Sequence, residues 1–179
     1  LITLIFGILI EWVNKFWRVA PVYFAGVLLG SLTSSVFDPY AGLVGSSGGV
    51  YAILGSHLAL VIMNWEEMQH DWTNCTTNPL AFMASGVVRL VVILIILIVD
   101  FAFALYRRYA LQQLQVISFM AHLGGFLAGI LIGIPILRNF DRRPWERILF
   151  WVSLTLFIVL VIFAILWNIF FPNFPPQTI

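Results

Sequence analysis

Apolar stretches of bilayer-spanning length, separated by short polar breaks, restrict what this chain can fold into more than any single residue does. A helix needs roughly 20 predominantly apolar residues to cross the hydrocarbon core. After a short opening piece, residues 1–10, five stretches have that length: about 19–36, 47–64, 85–105, 117–137 and 148–171. The breaks are polar or carry proline: Asn14-Lys15 through Arg18, Asp38-Pro39, Glu66-Glu67 with His70-Asp71, and finally Pro172 and Pro175. Composition agrees, with 61% hydrophobic and 9% charged residues, far from the balance of a soluble domain. The expected fold is an all-α polytopic membrane protein occupying residues 1–171, followed by a tail at 172–179.

Several classes are excluded early. A net charge of +1 gives no argument for nucleic acid, and one cysteine, Cys75, allows neither a disulfide framework nor a thiolate metal cluster. The chain opens inside an apolar run, Leu1-Ile2-Thr3-Leu4-Ile5-Phe6, without the basic region or cleavage site of a signal peptide. The opening piece therefore reads as the end of a helix in an N-terminally truncated bundle.

Basic residues set the orientation. Lys15 and Arg18 follow the opening piece, and Arg138, Arg142, Arg143 and Arg147 lie between the last two stretches. If every segment crosses, these loops share a side, which the positive-inside rule makes cytoplasmic. Arg89 agrees, whereas Arg107 and Arg108 fall on the opposite side.

Against this apolar background, Ser47 and His122 stand out. Polar and ionisable groups at membrane depth are costly and face a protein interior or an aqueous cavity. Both stretches that carry them enter from the non-cytoplasmic side, Ser47 in a first turn and His122 about five residues in, some 7–8 Å down. Small residues recur at Ala121, Gly125, Gly129 and Gly133, and nearly so at Gly48, Ala52, Ser56 and Ala59. Such faces let helices approach closely. Alone they are ordinary packing motifs; with Ser47 and His122 they describe a nucleophile brought to its base. Gly45-Ser46-Ser47-Gly48-Gly49 also fits the G-x-S-x-G elbow of α/β-hydrolases, but that motif needs a strand-to-helix turn. Asp38 to Gly42 is a loop, and no β/α alternation surrounds it.

Gly45-x-Ser47-Gly48-x-x-x-Ala52, with Tyr51 inside it, resembles the serine motif of the rhomboid intramembrane proteases. Ala121-His122-x-x-Gly125-x-x-x-Gly129 resembles their histidine motif. The likeness covers essentially the whole chain, Glu11 included. Ser118-Phe119-Met120 and the extra last helix with Trp167-Asn168 are similar to the animal secretase-type, six-plus-one branch.

The resemblance implies peptide-bond hydrolysis by a Ser47–His122 dyad with no third carboxylate, no cofactor and no metal. The backbone N–H groups of Ser47 and Ser46 would hold the oxyanion, Gly45 and Gly48 would let backbone approach substrate, and Tyr51 would pack on His122. Gly125, followed by Gly129, would be the close-approach point of the two helices. The family also places a His and an Asn upstream, on the helix whose end opens this chain; neither is present. Loss of one oxyanion donor costs roughly 10²- to 10³-fold in rate, so residues 1–179 alone are expected to be inactive within an active parent. Substrates would be single-pass membrane proteins cut near the outer boundary, growth-factor precursors among them. The compartment would be the secretory pathway (Golgi or endosome) or the plasma membrane, with the site facing the lumen or exterior.

Two other classes stay open: an inactive rhomboid-like protein that binds client helices, and a transporter with a broken helix at Gly45–Gly49. His57, about ten residues below Ser47, reads as a structural histidine bonded to a neighbouring helix. Asp100, close in sequence to Arg107 and Arg108, reads as a structural ion pair or hydrogen bond. Asn74-Cys75-Thr76 is a formal glycosylation sequon on the cytoplasmic side. Glu66, Glu67, His70 and Asp71 read as a solvated loop, and Trp145 and Trp151 as an interfacial belt.

Overall fold

The computed structural model describes residues 2–39, 41–42, 45–68, 82, 85–111, 118–139 and 143–171, and every regular element among them is helical. In chain order these are α1 (Ile2–Asn14), α2 (Phe16–Phe37), α3 (Gly45–Met63), α4 (Gly86–Leu105) with a π turn at Tyr106–Ala110, α5 (Phe119–Ile136) and α6 (Pro144–Phe170). Five of these, α2 to α6, are long and apolar enough to cross a membrane. The sequon at Asn74, the residues His70 and Asp71, Cys75, Arg142 and the tail at 172–179 lie outside the described residues.

Helix boundaries differ from the sequence reading in an instructive way. α1 continues to Asn14, α2 begins at Phe16 and α6 begins at Pro144; polar residues extend apolar helices because headgroup water can satisfy them. Proline suits the first turn of α6, where its missing N–H would have no partner anyway. α1 and α2 are joined through Lys15 alone, which adopts φ 64°, ψ 152°. That backbone region belongs almost entirely to glycine and costs a side-chain-bearing residue on the order of 1–3 kcal/mol.

Helices α2, α3 and α5 form the centre, and α6 packs on α5 and α2. Small residues make this possible. A Cβ built on Gly30 would lie 2.7 Å from the Ala121 carbonyl oxygen and 3.2 Å from Gly48 Cα, so three helices meet there backbone to backbone. Gly129 abuts the Ala52 backbone and Gly55 the Phe126 carbonyl in the same manner. Nearer the opposite end, Ile10, Val19, Val22, Ile53, Leu60, Ile132 and Leu137 pack into an apolar core.

Polar ties lock the ends. Buried Asn14 donates to the Ile10 carbonyl at 3.2 Å and accepts from the Arg138 N–H at 2.6 Å, joining α1 to the end of α5. Arg143 makes a two-pronged bond to Glu66, at 2.8 and 2.6 Å. Arg18, Arg138, Arg143 and Arg147 line one cavity at this end, the side the charge pattern makes cytoplasmic. At the other end Arg108 pairs with Asp38 at 3.2 Å.

α4 is the outlier. Only Gly86 and Ile93 are buried along it, and its one substantial helix neighbour is α3. Ser85 caps its start by accepting from the Val88 N–H at 3.4 Å. Ser118 caps α5 likewise, from the Ala121 N–H at 3.3 Å, while its own N–H donates to the Gly42 carbonyl at 3.2 Å.

Candidate active site

Ser47 is the third residue of α3 and His122 the fourth of α5. Both lie in the first turns of their helices. Their helices are pinned there. A Cβ on Gly125 would strike the Gly48 carbonyl and sit 2.7 Å from Gly48 Cα, so α5 touches α3 one residue past Ser47 and three past His122. The serine is half-buried and Ser46 is exposed.

Tyr51, one helical turn after Ser47 and so on the same face, stacks on His122. The ring centroids are 4.3 Å apart and the planes 10° from parallel. The stack thus brings the helix of Ser47 to His122 through Tyr51, one turn away from the serine. Gly48, Gly125 and Gly129 are among the glycines at backbone contact, as are Gly26, Gly30 and Gly55. Gly45 is different: a Cβ there would find only Ser31 Oγ at 3.7 Å and Val27 Cγ1 at 3.8 Å, ordinary contacts.

Asp100 makes the ion pair or hydrogen bond expected of it, with a partner that the sequence did not name. Instead of turning to Arg107 or Arg108, its Oδ2 lies 3.1 Å from His122 Nδ1, and the Tyr51 hydroxyl interacts with the same carboxylate. Arg108 is engaged with Asp38, and Arg107 lies over the Phe103 ring, 4.6 Å from its centroid. The signal was present: a carboxylate near the outer end of its helix shares the side of the membrane with the histidine.

Beside this group opens a cavity of about 310 Å³, lined by Tyr51, Ile98, Phe101, Phe119, His122 and Phe126 among others. Asp100 lines it too, the remaining walls are apolar, and Phe101 and Phe119 touch with centroids 5.0 Å apart. His57 lies apart from the site: Nε2 donates to the Phe6 carbonyl at 2.9 Å and Phe6 packs edge-on against its ring. That is the neighbouring-helix bond expected of a structural histidine.

With fold and geometry in place, comparison with known proteins identifies the class. The Rhomboid domain family matches residues 1–139, and the chain belongs to the rhomboid family of multi-pass membrane proteins. It is 41% identical over 171 residues to Rhomboid-related protein 2 of Mus musculus, covering 95% of this chain and 52% of that protein. Rhomboid-related protein 3 of Mus musculus is 38% identical over 170 residues, covering 93% and 39%. Inactive rhomboid-related protein 2 of Caenorhabditis elegans is 32% identical over 156 residues, covering 87% and 40%. The chain thus spans about half, or less, of these relatives' lengths. The family includes intramembrane serine proteases, and membership supports a protease-like function within the bilayer.

Proposed function

We propose that the protein is an intramembrane serine endopeptidase that cuts single-pass membrane proteins near the outer boundary of the bilayer. Ser47 is the nucleophile and His122 the general base and acid. The observation that carries this reading is the stacking of Tyr51 on His122, one turn from Ser47, across helices held at glycine contact. Ser47 Oγ attacks the scissile carbonyl while His122 takes its proton and later gives it to the leaving amine. The backbone N–H groups of Ser46 and Ser47 sit in the first turn of α3, where first-turn N–H dipoles and the positive helix end favour a developing oxyanion. Gly45 leaves the substrate side of this turn open, and Gly48, Gly125 and Gly129 hold the two helices together. Substrates in the secretory pathway or at the plasma membrane, growth-factor precursors included, meet a site that faces the lumen or exterior.

The test is cleavage of tagged single-pass proteins by the full-length protein in cells. Ser47→Ala and His122→Ala should each abolish product while leaving expression unchanged. An inactive client-binding relative, the reading that kinship with an inactive protein keeps in view, would instead retain client co-purification and show no cleavage even as wild type.

A further inference from the structure

We propose that Asp100 is a positioning residue, holding His122 in the one tautomer and orientation that a serine nucleophile needs. The proposal rests on the Ser47–His122 reading above and adds to the dyad a carboxylate that the family resemblance did not supply.

Geometry carries it. Asp100 Oδ2 lies 3.1 Å from His122 Nδ1. An ionised carboxylate accepts hydrogen bonds and cannot donate them, so Nδ1 carries the ring proton and gives it to Asp100. Nε2 is then left with its lone pair, as a base for serine requires. Tyr51, parallel to the ring at 4.3 Å, fixes the imidazole plane. The bond to Asp100 fixes rotation within that plane. Among the described residues, Asp100 and Tyr51 are the titratable groups that meet His122.

The setting suits a modest electrostatic role. The Asp100 side chain is 37% exposed and that of His122 13%, so the carboxylate keeps part of its hydration and avoids the penalty of an isolated buried charge. Of the two arginines near it in sequence, Arg107 lies over the Phe103 ring and Arg108 is held by Asp38 at 3.2 Å.

In the reaction, Ser47 Oγ bonds to the carbonyl carbon as its proton passes to Nε2. Asp100 remains ionised and faces the imidazolium through Nδ1–H. When the C–N bond breaks, the Nε2 proton leaves with the amine. Water then repeats the sequence on the acyl ester, giving its proton to Nε2 and returning Ser47 to its hydroxyl. Asp100 never takes the proton; it sets which nitrogen does.

The experiment compares wild type with Ser47→Ala, Asp100→Ala, Asp100→Asn and Asp100→Glu, each as full-length protein in proteoliposomes with one cleavable single-pass substrate. Rates are normalised to folded enzyme. Asp100→Ala should lower kcat about 10- to 100-fold with KM unchanged, less than the ~10⁴ for a fully buried triad carboxylate. Asp100→Asn should be at least as impaired, because its amide can donate to Nδ1 and favour the wrong tautomer. Asp100→Glu should recover part of the loss. ¹⁵N spectra of histidine-labelled protein should show the Nδ1–H form of His122 in wild type and a tautomer mixture in Asp100→Ala. Wild-type kcat in Asp100→Ala beside an inactive Ser47→Ala overturns the positioning role and leaves the protease reading standing. Loss that only tracks the folded fraction, with the Nδ1–H tautomer retained, also overturns it by making Asp100 structural. Cleavage that survives Ser47→Ala overturns the protease reading itself.

Discussion

Gly125→Ala is the most demanding test of how α3 and α5 create the site. A methyl group at 125 would meet the Gly48 carbonyl below any tolerable distance and sit 2.7 Å from Gly48 Cα and 2.8 Å from its carbonyl carbon. These atoms are backbone, so no rotamer change relieves the clash. Restoring an ordinary contact separates the helices by at least about 0.7 Å, and overpacking of this kind costs about 1–3 kcal/mol. Gly48 adjoins Ser47, so the displacement falls on the nucleophile. Misplacing reacting groups by ~1 Å costs about 10²-fold in rate. The expected outcome is a loss of about 10²-fold in kcat that exceeds any loss of folded protein, measured by cleavage rate and by reversible unfolding in mixed micelles. Gly7→Ala is the matched control: its Cβ would meet only Ile53 Cδ1 at 3.8 Å, and it should stabilise α1 by roughly 0.5–1 kcal/mol. Wild-type activity and unchanged unfolding in Gly125→Ala would refute the reasoning that glycine contact sets the serine–histidine geometry.

Two further outcomes follow from the arginine-rich end. Lys15→Gly should stabilise the protein by about 1 kcal/mol, since glycine occupies φ 64°, ψ 152° without the side-chain penalty; a lower unfolding midpoint in micelles would contradict this. The Glu66 carboxyl is held below its ordinary value of 4.5 by its hydrogen bonds to Arg143 and then by the attraction of that charge. A depressed carboxylate contributes stability above its unfolded pKa and loses it as pH falls through the folded value. The Glu66–Arg143 tie should therefore hold at neutral pH and loosen only below pH 4.5. High salt should weaken it too, because both groups are solvent-exposed. Amide exchange at residues 64–68, followed against pH and salt, reads this directly.

The spanning helices were legible because burial in lipid demands long apolar runs, and such runs are visible without any tertiary knowledge. The close approach of the helices that carry Ser47 and His122 was legible because each has small residues spaced by four. The termini of α1, α2 and α6 were less so, since polar residues such as Asn14 and Arg18 extend helices only when partners or headgroup water are available. Asn14 shows why: its partner, the Arg138 N–H, comes from the far side of the sequence. The partner of Asp100, His122, was hidden for the same reason. The neighbours of Asp100 in sequence are arginines, whereas its neighbour in space is set by how α4 leans on α3 and α5.

The sparse burial of α4 also makes bilayer thickness a variable of the site. With its π turn this segment runs 25 residues, Gly86–Ala110, or about 37 Å at 1.5 Å per residue, against about 27 Å for the 18 residues of α5. One hydrocarbon slab of about 30 Å cannot match both. α5 is fixed by its glycine contacts, so the loosely packed α4 is expected to take up the mismatch, for example by tilting. Asp100 rides on that helix and His122 on the other. Lipid chain length thereby acts on the distance between a carboxylate and an imidazole, and the membrane becomes part of the site's geometry as well as its solvent.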